Sequence, residues 1–331
     1  MEMGVRQMRI KLSSFLQWKG NVYLYRKFGW EIAFRYLVIL AAFYFLVNRK
    51  EKQKIAEAIE ATFGDRKSET EMKTITKGVF DGIFAHYYEK LYNAYENNEG
   101  LAAFFGESIE ADSLHKLDTA LEKGKGILFV TGHYGGIEYI PIFIAMKGYP
   151  ISVVAKFATP QLKETLYNKT KDLGLQIIDA DQEKSVMGAI IRELRANRIV
   201  FFECDEIEEW RPSRKERMMF LKKVIGVDRT INLIQRRSGA EVVLGILHRF
   251  SLKRYRLSLK SSQDLTADLQ GESSSITEAL LKSLEQHIYA HPEEWYQWKN
   301  YPEIESLQPV DSRKEKPAFV PLLSPAFAEA Y

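Results

Sequence analysis

One histidine and one carboxylate stand five residues apart in the stretch Gly126-Ile-Leu-Phe-Val-Thr-Gly-His133-Tyr-Gly135-Gly136-Ile-Glu138. In a continuous helix, residues five apart are rotated about 140° from one another and cannot meet. If His133 instead closes a strand and the glycines turn the chain into a helix, Glu138 can reach back to the imidazole. The pair is then a general-base dyad: the carboxylate fixes the tautomer and the other ring nitrogen takes a proton. The same spacing also suits a strand-capping histidine followed by an acid placed near a helix N-terminus for its dipole. Spacing alone leaves both readings open.

Two further groups carry chemistry. The apolar run Ile199-Val-Phe-Phe202 delivers Glu203-Cys204-Asp205-Glu206, in which Asp205 is a candidate for positioning a substrate or a basic partner. Each of these acids taken singly also fits a cap or a solvated turn. From Trp210 to Arg237 the chain is heavily basic, with Arg211, Arg214, Lys215, Arg217 and Arg229 among its cations and only Glu216 and Asp228 against them. Within it, Met218-Met219-Phe220-Leu221 forms an apolar knuckle. Basic residues beside an apolar knuckle suit a membrane headgroup surface, a phosphorylated substrate or an acidic carrier protein. An ordinary solvated loop is the alternative.

Several classes are excluded. The chain has no dinucleotide-binding glycine fingerprint, phosphate-binding loop or nucleophile-elbow serine. No Cys/His set has zinc spacing, so no metal is expected. A net charge of +3 over 331 residues and the lack of a recognised module argue against nucleic acid. The single cysteine, Cys204, rules out an internal disulfide, implies a reducing compartment, and reads as a small buried residue.

The elements that must position these residues alternate. Helices are expected at Leu114–Glu122, Tyr139–Met146, Gln161–Leu173, Ser185–Ala196 and Asn232–Ser238. Strands are expected at Ile127–Val130, Ile151–Ala155, Gln176–Ile178, Ile199–Phe202, Glu241–Leu247 and Tyr255–Leu259. Continuous apolar strands with crossover helices make an α/β protein with a mixed, mostly parallel sheet covered on both faces. Ligands in such sheets sit at the carboxyl ends of the strands, where His133 lies. Upstream, Lys50–Phe63 stops at Gly64, and Ser68-Glu-Thr-Glu71 is a capping box opening a long helix that Asn97–Gly100 closes. His86 lies in the apolar pattern of that helix and reads as a core or boundary residue. The uninterrupted apolar run Tyr36–Val47 is twelve residues long, short of the ~20 needed to span a bilayer. With the interleaved basic and apolar residues from Val5 to Trp18, it suits either a membrane surface or a helix packed on the core. The division expected is a helical, membrane-associating region over 1–110, an α/β domain over 111–300 and a proline-containing tail over 301–331.

These motifs together resemble the bacterial lipid A biosynthesis (late) acyltransferases, within the His-x4-Asp/Glu glycerolipid acyltransferase superfamily. His133 to Glu138 matches the signature, and Val154-Ala-Lys156 falls at the family's step after the second strand. Phe201-Phe-Glu-Cys-Asp205, Met219-Phe-Leu to Thr230, Gly239-Ala240 to Arg249 and His291-Pro-Glu-Glu-Trp295 follow in the family's order. Gly135-Gly136-Ile137 replaces the family's Gly-Asn-Trp, and Lys156 stands where the family has arginine. The resemblance implies transfer of a fatty acyl chain from an acyl thioester, on acyl carrier protein or CoA, to a hydroxyl of a lipid A precursor or similar glycolipid. It implies no cofactor beyond that co-substrate. His133 and Glu138 would be catalytic. Gly135, Gly136, Lys156, Asp205, Arg214, Arg217, Arg229 and Arg249 would bind substrate, with the glycine N–H groups cradling the developing oxyanion. The partners implied are acyl carrier protein and an anionic membrane lipid, at the cytoplasmic side of a bacterial inner membrane. Another acceptor, such as a phosphatidylinositol mannoside or lysophospholipid, and a non-catalytic membrane scaffold are the alternatives.

Overall fold

The computed structural model describes residues 49–157, 159–268 and 275–307, with scattered positions between 29 and 40. The basic–apolar segment from Val5 to Trp18, most of the Tyr36–Val47 run and the chain after 307 lie outside the described residues. Local signals set the first helices. Helix α1 (Arg49–Phe63) stops at Gly64. Helix α2 (Glu69–Tyr95) opens on the predicted capping box, in which the Glu71 N–H donates to Ser68 Oγ (3.4 Å) and the Ser68 N–H donates to the Glu71 carboxylate (2.9 Å). Such a cap contributes ~0.5–2 kcal/mol. Asn97, expected to close the segment, instead starts α3 (Asn98–Ser108), its side-chain oxygen accepting the Gly100 N–H at 2.7 Å. Asparagine at a chain break serves as readily to begin a helix as to end one.

The α/β alternation then runs as expected. It comprises β1 (Ile109–Glu110), α4 (His115–Leu121), β2 (Ile127–Thr131), α5 (Ile140–Met146), β3 (Ile151–Ala155), α6 (Pro160–Thr170), β4 (Gln176–Asp179), α7 (Val186–Arg195) and β5 (Ile199–Glu203). After these come β6 (Pro212–Phe220), β7 (Lys223–Asp228), α8 (Thr230–Ser238), β8 (Glu241–Ser251), β9 (Arg254–Ser261), α9 (Ser262–Asp268) and α10 (Ile276–Ala290). Seven strands form one sheet in the order β1-β9-β8-β2-β5-β3-β4. Every neighbouring pair is parallel except β8–β9.

Strand β2 shows why its first four residues are apolar without interruption: the whole strand is buried. Leu128 and Val130 join Ile55 and Val79 of α1 and α2, Leu194 of α7 and Leu284 of α10 in one cluster. Ile127 and Phe129 join Phe105, Phe143 and Tyr255 in the other. Helices therefore cover both faces, and the first two helices close one of them. Of the described part of the N-terminal segment, Tyr36 and Leu40 pack against Leu91, Tyr95 and Leu162, while Ile32, Val38 and Ile39 are exposed. No described helix is long and apolar enough to cross a membrane.

The basic stretch is not a loop. Its centre is an antiparallel hairpin, β6–β7, separate from the main sheet. Leu221 and Lys222 make its two-residue turn at φ of 46° and 66°, the left-handed pair such hairpins require. The apolar knuckle is correspondingly smaller than expected. Met218, Phe220 and Leu221 are core residues, and only Met219 is exposed. Alternation along the strand, invisible if the segment is read as a loop, sends neighbours to opposite sides.

Candidate active site

Strands β2 and β5 run parallel with Thr131 opposite Glu203. Two residues further on, His133 and Asp205 leave the sheet side by side. Asp205 is fully buried, and its carboxylate is fully engaged. It accepts the His133 backbone N–H on both oxygens (2.9 and 3.0 Å), faces His133 Nδ1 at 2.9 Å, and accepts the Trp295 Nε1–H at 2.8 Å. A carboxylate against Nδ1 places the proton of a neutral ring there and leaves Nε2 to receive another. Nε2 lies 3.3 Å from Glu203 and 3.4 Å from Glu206. Asp205 is thus a positioning residue for His133: of the two uses expected of it, substrate or basic partner, the structure shows the basic partner.

Three carboxylates around one imidazole govern its charge. Burial alone would lower the His133 pKa, but the charges of Glu203 and Asp205, the Asp205 hydrogen bond and the charge of Glu206 outweigh it and lift the pKa to about 10. Burial pushes Glu203 up, opposed by the nearby imidazolium. Around neutral pH the cluster therefore holds a proton at Nε2.

Glu138, expected on the imidazole, does not touch it. It sits in a short 3-10 turn, Ile137–Tyr139, and its carboxylate meets Lys90 Nζ at 3.1 Å and His86 Nε2 at 3.7 Å. The Glu138 charge in turn raises the Lys90 pKa against burial. His86 is held well below the usual histidine range by burial, and the Lys90 charge adds to that. His86 is thus a boundary residue, as read, but one that faces the cleft.

The glycines are also committed elsewhere. The Gly135 N–H donates to the Glu294 carbonyl at 3.0 Å and the Gly136 N–H to the Leu247 carbonyl at 2.8 Å. Neither is open to an oxyanion, which corrects the cradle expected from the glycine pair. Their requirement is steric: Gly135 has φ +58°, and a Cβ there would lie 2.0 Å from the Leu247 carbonyl oxygen.

Arg249, expected on substrate, is buried behind the same turn. It forms a bidentate pair with Glu89 (2.5 and 2.9 Å), donates to the Gly135 carbonyl at 2.9 Å and meets the Tyr296 hydroxyl. The Tyr255 hydroxyl donates to Glu89 at 2.9 Å. Removing one member of a buried pair of this kind costs about 3–5 kcal/mol. Arg249 therefore anchors the glycine turn and lines neither cleft.

Two clefts flank Glu203. One, about 340 Å³, is lined by His86, Lys90, His133, Glu138, Leu162 and Phe201. The other, about 700 Å³, is lined by Val186, Met187, Phe202, Trp210, Arg211 and Thr230. Lys156 is exposed and borders both. Arg214 and Arg217 are exposed on β6, and Arg229 is exposed with its Nε donating to the Arg211 carbonyl at 3.3 Å. None of these three lines either cleft. Cys204 is buried and its thiol is pushed far up by burial, so it is not a nucleophile. Among the described residues, His133 with Glu203 and Glu206, and His248 with His291 and Glu294, are grouped closely enough to hold a metal ion.

Sequence reasoning placed Glu203 and Glu206 only within the acid group after β5 and Trp295 only within a motif, and it did not single out Lys90. The usable signal was strand register: two apolar strands of the same length, each followed within three residues by a polar group, pair most simply with those groups adjacent. Fold and site together define an α/β protein with a histidine–carboxylate centre at the carboxyl ends of its central strands. The family model for Bacterial lipid A biosynthesis acyltransferase matches residues 4–300, and the chain belongs to that family of acyltransferases. No curated protein matches the chain.

Proposed function

We propose that this enzyme moves a fatty acyl chain from a thioester donor, acyl carrier protein or CoA, to a hydroxyl of a lipid A precursor or a similar glycolipid. The observation that carries the reading is His133, held through Nδ1 by buried Asp205 at the wall of the smaller cleft. In the reaction, once the resting proton has left Nε2 for solvent, Nε2 takes the acceptor's hydroxyl proton while the oxygen attacks the thioester carbonyl. The C–S bond then breaks, and the departing thiolate receives the proton from the imidazolium. Asp205 maintains the tautomer, and Glu203 and Glu206 set how readily the ring gives up its resting proton. Glu138 acts one step removed, holding Lys90 and His86 at the cleft mouth. The apolar walls at Leu162, Phe201, Val186 and Met187 suit an acyl chain, and Lys156 with Arg211 suits a phosphorylated headgroup.

The exposed β6 cations and Met219 give the hairpin the character of a docking arm for an acidic carrier protein. Exposed Ile32, Val38 and Ile39 support a peripheral seat on the cytoplasmic face of a bacterial inner membrane. The test is lipidomics of a deletion strain complemented with wild type or His133→Ala. One acyl chain missing from lipid A, restored only by wild type, is the expected result. A loss confined to phospholipids or another glycolipid reassigns the acceptor, and full rescue by His133→Ala sinks the mechanism. In vitro, His133→Ala should lose ~10²–10⁴-fold in kcat.

A further inference from the structure

A second histidine–carboxylate cluster lies behind the catalytic turn. His248 stands near the outer end of β8, and the segment after α10 brings up His291 and, three residues on, Glu294. One ligand atom from each lies within 4.8 Å of the others. Glu294 is 2% exposed. One of its oxygens accepts the Arg249 backbone N–H at 2.8 Å. The other, Oε1, receives no hydrogen bond although it lies 2.5 Å from His248 Nδ1. Its close neighbour is therefore the His248 ring, as an ion-pair partner or as a fellow ligand of an ion. The His248 and His291 rings are 4.4 Å apart, and His291 Nδ1 faces the Glu293 carboxylate at 3.4 Å. A carboxylate behind a histidine is the support that metal-bound imidazoles usually have.

We infer that His248, His291 and Glu294 form a site for a divalent transition ion of the Zn²⁺ type, completed by water. Two imidazoles and one carboxylate favour such an ion over Mg²⁺ or Ca²⁺, which take oxygen-rich sets. Tetrahedral binding needs donors about 3.3 Å apart, so the His248 ring swings outward by less than an ångström. His248 is partly exposed, with the Phe250 and His291 rings beside it at 4.5 and 4.4 Å. None of the three residues lines either cleft, so the ion takes no part in the acyl transfer. Its effect is mechanical. The Glu294 carbonyl holds the Gly135 N–H, the Trp295 indole holds Asp205, and the Tyr296 N–H donates to the His133 carbonyl at 2.9 Å. An ion bridging His248 to this segment clamps the end of β8 to the wall against which His133 is set.

The experiment uses untagged full-length protein, stripped with chelator and then titrated with Zn²⁺ and, separately, Co²⁺. Expected are one tightly bound equivalent, a rise in Tm of several degrees, and the visible absorption of four-coordinate Co²⁺. His291→Ala, at a half-exposed position outside the core, should remove all three while its circular dichroism stays that of wild type. Glu294→Gln should weaken binding at least tenfold. A wild-type protein whose Tm ignores Zn²⁺ overturns the proposal. So does an equivalent retained in His291→Ala, or one lost in His133→Gln with His291 intact, which would place the ion in the catalytic cleft.

Discussion

The turn after β2 and the turn after β5 both offer carboxylates to His133, and they differ in how the chain is tied. After β2, Gly135 and Gly136 are bonded outward to the Glu294 and Leu247 carbonyls, so Glu138 is carried off to Lys90 and His86. After β5, the sheet register brings Asp205 beside the imidazole and the Trp295 indole holds it there. Five residues along the chain prove farther than one step across the sheet. A residue near in sequence is restrained by everything its own backbone must satisfy. A residue on the neighbouring strand is delivered by hydrogen bonds that are already made.

The sharpest way to break this contrast is a pair of charge-removing variants. Asp205→Asn should lose on the order of 10²–10⁴ in kcat, because the tautomer and the imidazolium both lose their support. It should also move the acid limb of the kcat–pH profile to lower pH, since Asp205 helps hold the His133 pKa up. Glu138→Gln should lose about tenfold, matching ~1.5 kcal/mol for a hydrogen bond to a charged group, with the acid limb in place. A profile that shifts in Glu138→Gln and not in Asp205→Asn would reverse the assignment.

Glu203→Gln comes next. It removes the largest charge acting to raise His133, so half-maximal activity should be reached at distinctly lower pH than in wild type. Steady-state rates between pH 5 and pH 10 would read this, and an unmoved limb would show that a different group titrates. Stability carries the same sign. The His133 pKa is raised from 6.5 to about 10 in the folded protein. Its contribution is therefore fully present below pH 6.5 and is lost as pH climbs towards 10. The stability gap between wild type and His133→Ala, from urea melts, should narrow across that window.

The smallest effect belongs to the hairpin. Arg214→Glu with Arg217→Glu should raise KM for acyl carrier protein severalfold, more at low salt than at high, and leave kcat near wild type. An equal effect with a CoA donor would point to membrane binding or the acceptor, not to the carrier.

Much of the sheet was legible because its cause is local. Uninterrupted apolar runs such as Ile127–Val130, bounded by turn signals, suit a strand covered on both faces. The Ser68 box and Gly64 mark helix ends by chemistry confined to a few residues. The hairpin escaped because its cations mask the alternation that buries Met218 and Phe220. At the site, His133 was readable from its glycines and its place at a strand end. Its partner was not, because the Thr131–Glu203 register is a property of two strands together. The role of Arg249 was hidden for the same reason: Glu89 and Gly135 lie 160 and 114 positions away, and nothing near Arg249 in the chain announces them.

The wall behind His133 has a consequence in time. Tyr134 pairs with Trp295, and Asp205 and Gly135 depend on Trp295 and Glu294. Synthesis runs from the other end, so the histidine is made more than a hundred and fifty residues before the segment that seats it. A nascent chain released short of Tyr296 carries every acid and base of the site and has no means of arranging them. Catalytic competence waits on a segment made long after the histidine itself.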